Sequence, residues 1–214
     1  MKQKKPLSHQ SNLRIFAANG CTDPLKESLS EGDSFGISEG DNITKRISIT
    51  CLHSKDLDET TLTWINELTE KNMKDHYEKS ANGWNPKQKE KELRHETARF
   101  LVCHVDSDKE MIAFVHFRFE LDDEAKHPAV YCYEIQVEKE WQSKGIGRHL
   151  MKVLQEIGFR FKMFKVMLTC FKHNQTTLSF YEKLGYTPDI RSPSRCGDMT
   201  ADYEILSKRI RESK

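Results

Sequence analysis

Gln142-Ser143-Lys144-Gly145-Ile146-Gly147 is the stretch that most strongly indicates the fold of this chain. A strand-like run, Tyr131-Cys132-Tyr133-Glu134-Ile135-Gln136-Val137, precedes it, and an amphipathic helix follows it. Glycine lets backbone N–H groups approach an anion closely, and a helix N-terminus presents unpaired N–H donors with a partial positive charge. The stretch therefore predicts a strand, an anion-holding loop and a helix. Two glycines alone are a weak signal, because many such connections contain glycine only for turn geometry.

The composition is that of an ordinary globular chain. Its 214 residues are 36% hydrophobic and 31% charged, and 11 Phe, 6 Tyr and 3 Trp can supply a core. A net charge of +1 gives no overall field toward nucleic acid or membrane. No secretory segment occurs, and no apolar run approaches the roughly 18 residues of a membrane span. We expect a protein of the cytoplasm and nucleus, with no membrane partner and no specific nucleic acid partner.

The cysteines and histidines do not suggest a metal site. None of the six cysteines forms a Cys-x-x-Cys pair, and no histidine stands at ligand spacing from one of them. Four cysteines lie inside strand-like apolar runs, where thiols commonly act as small buried hydrophobes. The sequence therefore predicts reduced thiols in an intracellular protein and no bound metal.

Hydrophobic periodicity predicts a mixed α/β (α+β) domain over residues 22–214, preceded by a polar and flexible tail over residues 1–21. Residues 22–44 are expected to form an irregular connection with a short helix near 24–29. Strands are predicted near 47–51, 99–105, 111–119, 129–138, 166–170, 186–190 and 202–208. Helices are predicted over 58–80, 87–96, 147–161 and 174–184. This order fits one mixed sheet with helices packed on it.

The same order, with Gln142-x-x-Gly145-x-Gly147 at a strand-to-helix junction, resembles the GNAT family of acetyl-CoA-dependent N-acetyltransferases. The later Phe180-Tyr181-Glu182-Lys183-Leu184-Gly185-Tyr186 is similar to a second signature of that family. The resemblance implies the GNAT fold, with a mixed, mostly antiparallel central sheet and helices packed on both faces. It also implies acetyl-CoA as the acetyl donor.

Further blocks resemble the NatD type of that family, the N-alpha-acetyltransferases selective for histone amino termini. The similar positions are 116–119, 129–137, 166–169, 171–174 and 203–207, with Asn72, Met73, Tyr77, Glu78, Gly83 and Trp84. The resemblance covers roughly residues 22–209. It implies histone N-terminal peptides beginning Ser-Gly-Arg-Gly, of the H-four and H-two-A types, as substrates.

Glu134 is the candidate general base. A carboxylate in the middle of an aromatic and apolar strand is costly unless it is paired or faces a cleft, so a structural glutamate bonded to arginine or backbone is the alternative. An α-amine has an ordinary pKa of about 7.7–8.0, so a modest base suffices, acting directly or through water. The resemblance assigns catalysis to Glu134 beside Tyr133. It makes Tyr181 either the general acid for the leaving thiolate or a packing aromatic.

The resemblance also assigns the residues that hold the acetyl donor. The pyrophosphate would contact Gln142, Ser143, Lys144, Gly145, Ile146, Gly147 and Arg148. Pantetheine would pair with the backbone of Ile135, Gln136 and Val137, one of whose N–H groups would stabilise the oxyanion, and would bond Asn174. Many GNAT members have arginine where this chain has Gln142, so one cationic contact is missing.

The peptide is expected to meet an acidic and aromatic surface. Glu120, Leu121 and Asp122 precede the strand of Glu134, where carboxylates would receive the arginine or backbone amides of a cationic peptide. The other predicted peptide contacts are Tyr77, Trp84, Tyr131, Tyr133, Thr169, Ser192 and Tyr203. A solvated acidic turn and ordinary packing are the structural alternatives. Ala81-Asn82 departs from the more aromatic stretch expected before Gly83-Trp84.

Two other functions remain open at this point. One is a GNAT enzyme for a lysine side chain or a small-molecule amine, and the other is a catalytically silent adaptor that binds acetyl-CoA or a histone tail. The intact Glu134 and glycine loop argue against the adaptor. We expect a monomer, and Lys2, Lys4 and Lys5 leave the ribosome open as a partner.

Overall fold

The computed structural model describes residues 7–29, 34–39, 42–107, 109–122 and 127–210. Within them the chain forms eight strands and six helices. The strands are β1 (Ser34–Glu39), β2 (Asn42–His53), β3 (Arg99–Val105), β4 (Met111–Leu121), β5 (Pro128–Val137), β6 (Lys165–Phe171), β7 (Thr187–Pro188) and β8 (Tyr203–Arg209). The helices are α1 (Leu7–Gly20), α2 (Pro24–Ser28), α3 (Glu59–Glu78), α4 (Pro86–Leu93), α5 (Ile146–Arg160) and α6 (Gln175–Lys183).

The strands form a single sheet in the order β1-β2-β3-β4-β5-β6-β8-β7. Among the described strands, β5 and β6 pair in parallel and every other neighbouring pair is antiparallel. A parallel pair needs a long crossover, and α5 provides it between β5 and β6. The predicted fold class, a mixed and mostly antiparallel sheet, is confirmed.

Helices cover both faces of the sheet because neighbouring strand residues point to opposite sides. On one face, Leu62 and Leu68 of α3 and Leu93 of α4 pack with Phe100 and Phe114. On the other, a larger core joins α1, α2, α5 and α6 to the alternate strand residues. Its members include Ala18, Leu25, Leu150, Leu154, Tyr181, Leu101, Val115, Phe117 and Cys132.

The helix boundaries follow from local chemistry. Asp58 caps α3 by accepting the Thr61 N–H at 2.7 Å, and Asn85 caps α4 with Pro86 at its first position. α5 buries Ile146, Leu150, Leu154 and Ile157, the face that its spacing predicts. The structure therefore contains the helices and strands predicted beyond residue 47, with boundary shifts of a few residues.

Two elements differ from the sequence expectation. Leu7–Gly20, where a polar tail is expected, forms α1, and Ser34–Glu39, within the expected irregular connection, forms the edge strand β1. α1 buries Ser11 and Ala18 but exposes Leu13 and Phe16, so its residues carry no clear apolar period. Both elements depend on contacts with distant residues. Lys2, Lys4, Lys5, Asp123 and Glu124 lie outside the described residues.

Within the described ranges, no helix is both long and apolar enough to cross a membrane. All six cysteines lie in the described residues, and no disulfide joins them. No group of three or more histidine, cysteine or acidic side chains in the described part of the chain could hold a metal ion.

Candidate active site

The sheet opens between β5 and β6. Their register ends at Cys132 and Leu168, after which β5 continues to Val137 and β6 continues to Phe171 along β8. A cavity of about 920 Å³ lies at this opening. Many of the predicted site residues line it: Tyr77, Tyr131, Tyr133, Glu134, Ile135, Gln136, Val137, Gln142, Ser143, Gly145, Ile146, Gly147, Arg148, Thr169, Asn174 and Tyr181.

A β-bulge orients the centre of the site. In the pairing of β4 with β5, Phe117 opposes Cys132 and His116 opposes Glu134, so Tyr133 is the extra residue. Simple alternation would place Tyr133 and Glu134 on opposite faces. With the bulge, Tyr133 stacks on His116, the residue opposite Glu134, at a ring separation of 4.9 Å. The side chains of Tyr133 and Glu134 therefore lie on the same face of the sheet, the face that α3 and α4 cover.

Glu134 is buried, with 4% of its side chain exposed, and both of its carboxylate oxygens accept hydrogen bonds. Lys89 of α4 donates to Oε1 at 2.7 Å, and the side-chain amide of Gln136 donates to Oε2 at 2.8 Å. The nearby ammonium stabilises the carboxylate charge in a site that excludes most water. The charged carboxylate is the form that can accept a proton from an amine.

Tyr133 connects Glu134 to the acidic end of β4. Its hydroxyl donates to both carboxylate oxygens of Glu120, at 2.9 and 3.0 Å, and Arg118 lies 4.2 Å from its ring centre. Burial and the Glu120 carboxylate raise the pKa of Tyr133 well above its ordinary value. Burial, Arg118 and Lys89 together lower the pKa of His116, which therefore stays neutral under Tyr133. Tyr133 therefore keeps its proton at neutral pH, and His116 is fully buried and does not line the cavity, so neither ring accepts a proton from a substrate there.

Beyond the opening, the backbone N–H and C=O groups of β5 point alternately toward β4 and away from it. The Glu138 N–H bonds the Ile112 carbonyl of the β4 side, and backbone groups alternate along an antiparallel strand. The N–H groups of Ile135 and Val137 therefore point away from β4, toward the opening. Those of Glu134 and Gln136 point toward β4, so the expectation that the Gln136 backbone meets pantetheine does not fit this alternation.

The glycine loop shapes the far end of the cavity. Ser143 has φ 60° and Gly145 has φ 86°, and Gly145 begins α5 without a side-chain cap. The N–H groups of the first turn of α5 are therefore available to a ligand, and Arg148 lines the cavity beside them. Gln142 donates to the Val137 carbonyl at 3.0 Å, which ties the loop to β5. Lys144 does not line the cavity; its ammonium lies 5.8 Å from the ring centre of Trp141.

Asn174 and Tyr181 lie on the β6 side. Asn174 caps α6 by accepting the Thr177 N–H at 3.2 Å, and its amide lies 3.4 Å from the His76 ring. Tyr181 lines the cavity but packs edge-to-face against Phe180 and Tyr186. Burial and the nearby thiol of Cys132 raise the pKa of Tyr181, so its hydroxyl keeps the proton that an acid must donate.

Replacing Tyr181 with Phe tests its role as an acid. We expect kcat to fall about fivefold, less than the roughly 100-fold typical of acid–base catalysis, because a thiolate leaves readily. Tyr186→Phe is the control, since Tyr186 is equally buried but bonds Gln155 and does not line the cavity. Steady-state kcat of the two variants is compared. An unchanged kcat in Tyr181→Phe would leave that tyrosine a packing role only.

Part of the predicted peptide surface lines the cavity. The Tyr131 hydroxyl and Thr169 Oγ1 lie 2.5 Å apart across the opening between β5 and β6. Tyr77 lies on α3, and its hydroxyl accepts from Lys89 at 3.1 Å. Trp84 packs edge-on against Tyr77, with ring centres 5.5 Å apart, behind the cavity wall.

The remaining predicted peptide contacts do not line the cavity. Asp122 is buried, with 1% of its side chain exposed, and its carboxylate lies 2.9 Å from the Lys165 ammonium. Ser192 is fully buried and bonds Glu204. Leu121 and Tyr203 lie at the ends of their strands, and Glu120 accepts from the hydroxyl of Tyr133, which lines the cavity. Asp122 and Ser192 are held by internal polar contacts, which a sequence motif does not reveal.

The structure adds cavity residues that the sequence analysis did not assign to the site, among them Asn72, Met73, His76, Lys89 and Glu92. Lys89 and Glu92 belong to the charged run Pro86–Leu93, which resembles a solvated helix. Nothing in the run distinguishes Lys89 from the exposed Lys87 and Lys91. Only its position opposite β5 makes Lys89 part of the site.

The opened sheet places a buried carboxylate and a helix N-terminus in one cavity, a site that can hold a phosphate-bearing donor beside a base. Residues 64–186 match the pattern of the Acetyltransferase (GNAT) family, so the chain belongs to this family. The predicted donor, acetyl-CoA, is thereby confirmed. Acetyl-CoA supplies an acetyl thioester. The outward N–H groups of β5, the first turn of α5 and Arg148 fit its amide and phosphate groups.

Solved structures share the fold at low sequence identity. NAA60 of Arabidopsis thaliana, crystallised with a bisubstrate analogue, has a TM-score of 0.54 at 12% identity over 78% of this chain and 100% of its own. PaiA N-acetyltransferase of Thermoplasma acidophilum, in complex with coenzyme A, has a TM-score of 0.52 at 17% identity over 76% and 98%. The ribosomal-protein-S18-alanine N-acetyltransferase of Escherichia coli has a TM-score of 0.50 at 20% identity over 78% and 96%.

Proposed function

We propose that this protein acetylates the free α-amine of protein N-termini, with histone-type termini beginning Ser-Gly-Arg-Gly as its preferred substrates. The observation that carries the proposal is the buried Glu134 carboxylate, which lies in the cavity between the outward N–H groups of β5 and a tyrosine-rich wall. An α-amine has an ordinary pKa of about 7.7–8.0, whereas a lysine side chain has about 10.4, so a carboxylate base suits the first better.

Each chemical requirement has a residue in this proposal. Glu134 accepts the proton of the attacking amine, directly or through one water. The outward N–H groups of Ile135 and Val137 donate to the acetyl oxygen as negative charge develops on it. Tyr181 returns a proton to the departing sulfur. These side-chain and backbone groups are held by β5 and α6, which are packed elements of the fold.

Charge and aromatic surface support a cationic peptide. Glu120 is 33% exposed and is held by Tyr133, so it can meet the arginine of a Ser-Gly-Arg-Gly terminus. Tyr77 and Tyr131 offer ring faces to an extended peptide beside it. The Escherichia coli neighbour is by its name an acetyltransferase of a ribosomal protein, which supports a protein substrate.

Acetyl-CoA turnover on synthetic peptides tests the proposal. We expect turnover on Ser-Gly-Arg-Gly-Lys, none when its α-amine is blocked, and weak turnover on a peptide that starts with Met. Replacing Arg with Ala at the third position should raise the peptide KM about tenfold, the loss of one charge-assisted contact. Activity that persists on the blocked peptide would mean side-chain acetylation. Binding of acetyl-CoA without turnover on any amine would favour an adaptor.

A further inference from the structure

We propose that Lys89 is a positioning residue for the acetyl transfer: its ammonium holds the Glu134 carboxylate in place and aimed into the cavity. This inference rests on the proposed function, in which Glu134 is the base. It assigns a kinetic role to a lysine of α4 that belongs to no signature of the sequence.

Lys89 is buried in a site built around its charge. Only 8% of its side chain is exposed, and its ammonium lies 2.7 Å from Glu134 Oε1, 2.9 Å from Glu92 Oε1 and 3.1 Å from the Tyr77 hydroxyl. An ammonium has three donors, so these three acceptors satisfy it. Burial opposes its charge, but Glu134 and Glu92 outweigh burial and raise the pKa of Lys89, which therefore stays charged.

The ammonium determines where the Glu134 carboxylate points. With Lys89 on Oε1 and Gln136 on Oε2, the carboxylate is held from two sides. α4 is a firm support, because Asn85 caps it and Leu93 is completely buried. The Asn72 amide donates to the Gln136 side-chain oxygen at 3.1 Å, which fixes the second donor from α3.

Titratable groups from several elements face Glu134. α4 supplies Lys89 and Glu92, α3 supplies Tyr77, α6 supplies Tyr181, and β5 itself supplies Cys132. On β4, His116 lies opposite Glu134, and Arg118 interacts with Glu92. His116 stays neutral and Arg118 is directed at the Glu92 carbonyl and at Tyr133. Within the described part of the chain, Lys89 is the cation in ion-pair contact with the Glu134 carboxylate. Removing it would take away the opposite charge beside the carboxylate, and a nearby opposite charge favours the charged form of such a group.

Lys89→Met should therefore lower kcat about fivefold and move the acidic limb of the kcat/KM profile upward by about one pH unit, with the acetyl-CoA KM unchanged. Lys91→Met is the matched control, since Lys91 is exposed on the same helix. Lys89→Arg keeps the charge and should bring the acidic limb back toward the wild-type pH. If Lys89→Met does not fold, Lys89→Gln keeps a hydrogen-bond donor and should show the same shift.

The outcomes separate this inference from the proposed function. A wild-type kcat and pH profile in Lys89→Met or Lys89→Gln, together with a slow Glu134→Gln enzyme, would overturn the role of Lys89 alone. A Glu134→Gln enzyme with normal turnover would instead overturn the base, whatever Lys89 does. A shift of the acidic limb that Lys89→Arg corrects and Lys91→Met lacks would support positioning, because lost stability alone does not move a pH profile.

Discussion

Replacing Glu134 with Gln should lower kcat at least about tenfold, and roughly 100-fold if general-base catalysis has its usual weight. Glutamine keeps the shape and can still accept from Lys89, but it cannot take a proton from the amine. The fold should persist because Lys89 retains Glu92 and Tyr77 as partners. The measurement is kcat at saturating acetyl-CoA and peptide, with thermal unfolding to verify that the variant is folded.

Glu140→Gln serves as the control for the loss of one negative charge, since Glu140 is exposed just beyond β5. It should retain wild-type turnover. Near-normal kcat in Glu134→Gln would show that a neutral fraction of the α-amine, or a water chain to another group, carries the reaction. Glu134 would then be a buried structural glutamate, the alternative that its sequence position leaves open.

Local patterns made most of the fold predictable. Alternation identified β2 and β4, apolar spacing identified α5, and Asp58 marked the start of α3, because each signal lies within or next to the element that it specifies. α1 and β1 were not predictable in the same way. β1 pairs with β2 across a β-bulge and α1 packs on the sheet, so their stability comes from residues distant in sequence.

The candidate site likewise contains residues that a local pattern predicts and residues whose position depends on distant parts of the chain. The glycine loop and α5 could be predicted because one contiguous motif forms them, and Glu134 could be selected because a carboxylate interrupts an apolar strand. The bulge at Tyr133 could not be predicted, since alternation puts Tyr133 and Glu134 on opposite faces. Asp122 shows the opposite case, a residue that the sequence assigned to the peptide surface but that is buried. It resembles an accessible acidic loop residue, yet an ion pair with Lys165 holds it in the interior.

Replacing Gly145 with Val should raise the KM for acetyl-CoA at least about tenfold while changing kcat less. Gly145 has φ 86°, a conformation that costs an L-residue about 1–2 kcal/mol and is a genuine outlier for a β-branched one. An added Cβ would meet nothing within 4 Å, so the effect comes from the backbone and not from a clash. Relief of the strain rotates the peptide groups that begin α5 and misaligns their N–H groups. The measurements are the acetyl-CoA KM and calorimetric binding of coenzyme A.

Gly197→Val is a matched control for this strain. Gly197 has φ 87°, also has open space around it, and lies outside the cavity. Both variants should lose similar stability, but only Gly145→Val should lose affinity for coenzyme A. A factor of ten in affinity corresponds to about 1.4 kcal/mol, which is comparable to the strain itself. Equal coenzyme A affinities in the two variants would mean that the phosphates are held by Arg148 and other side chains, and that the backbone geometry of the loop contributes little.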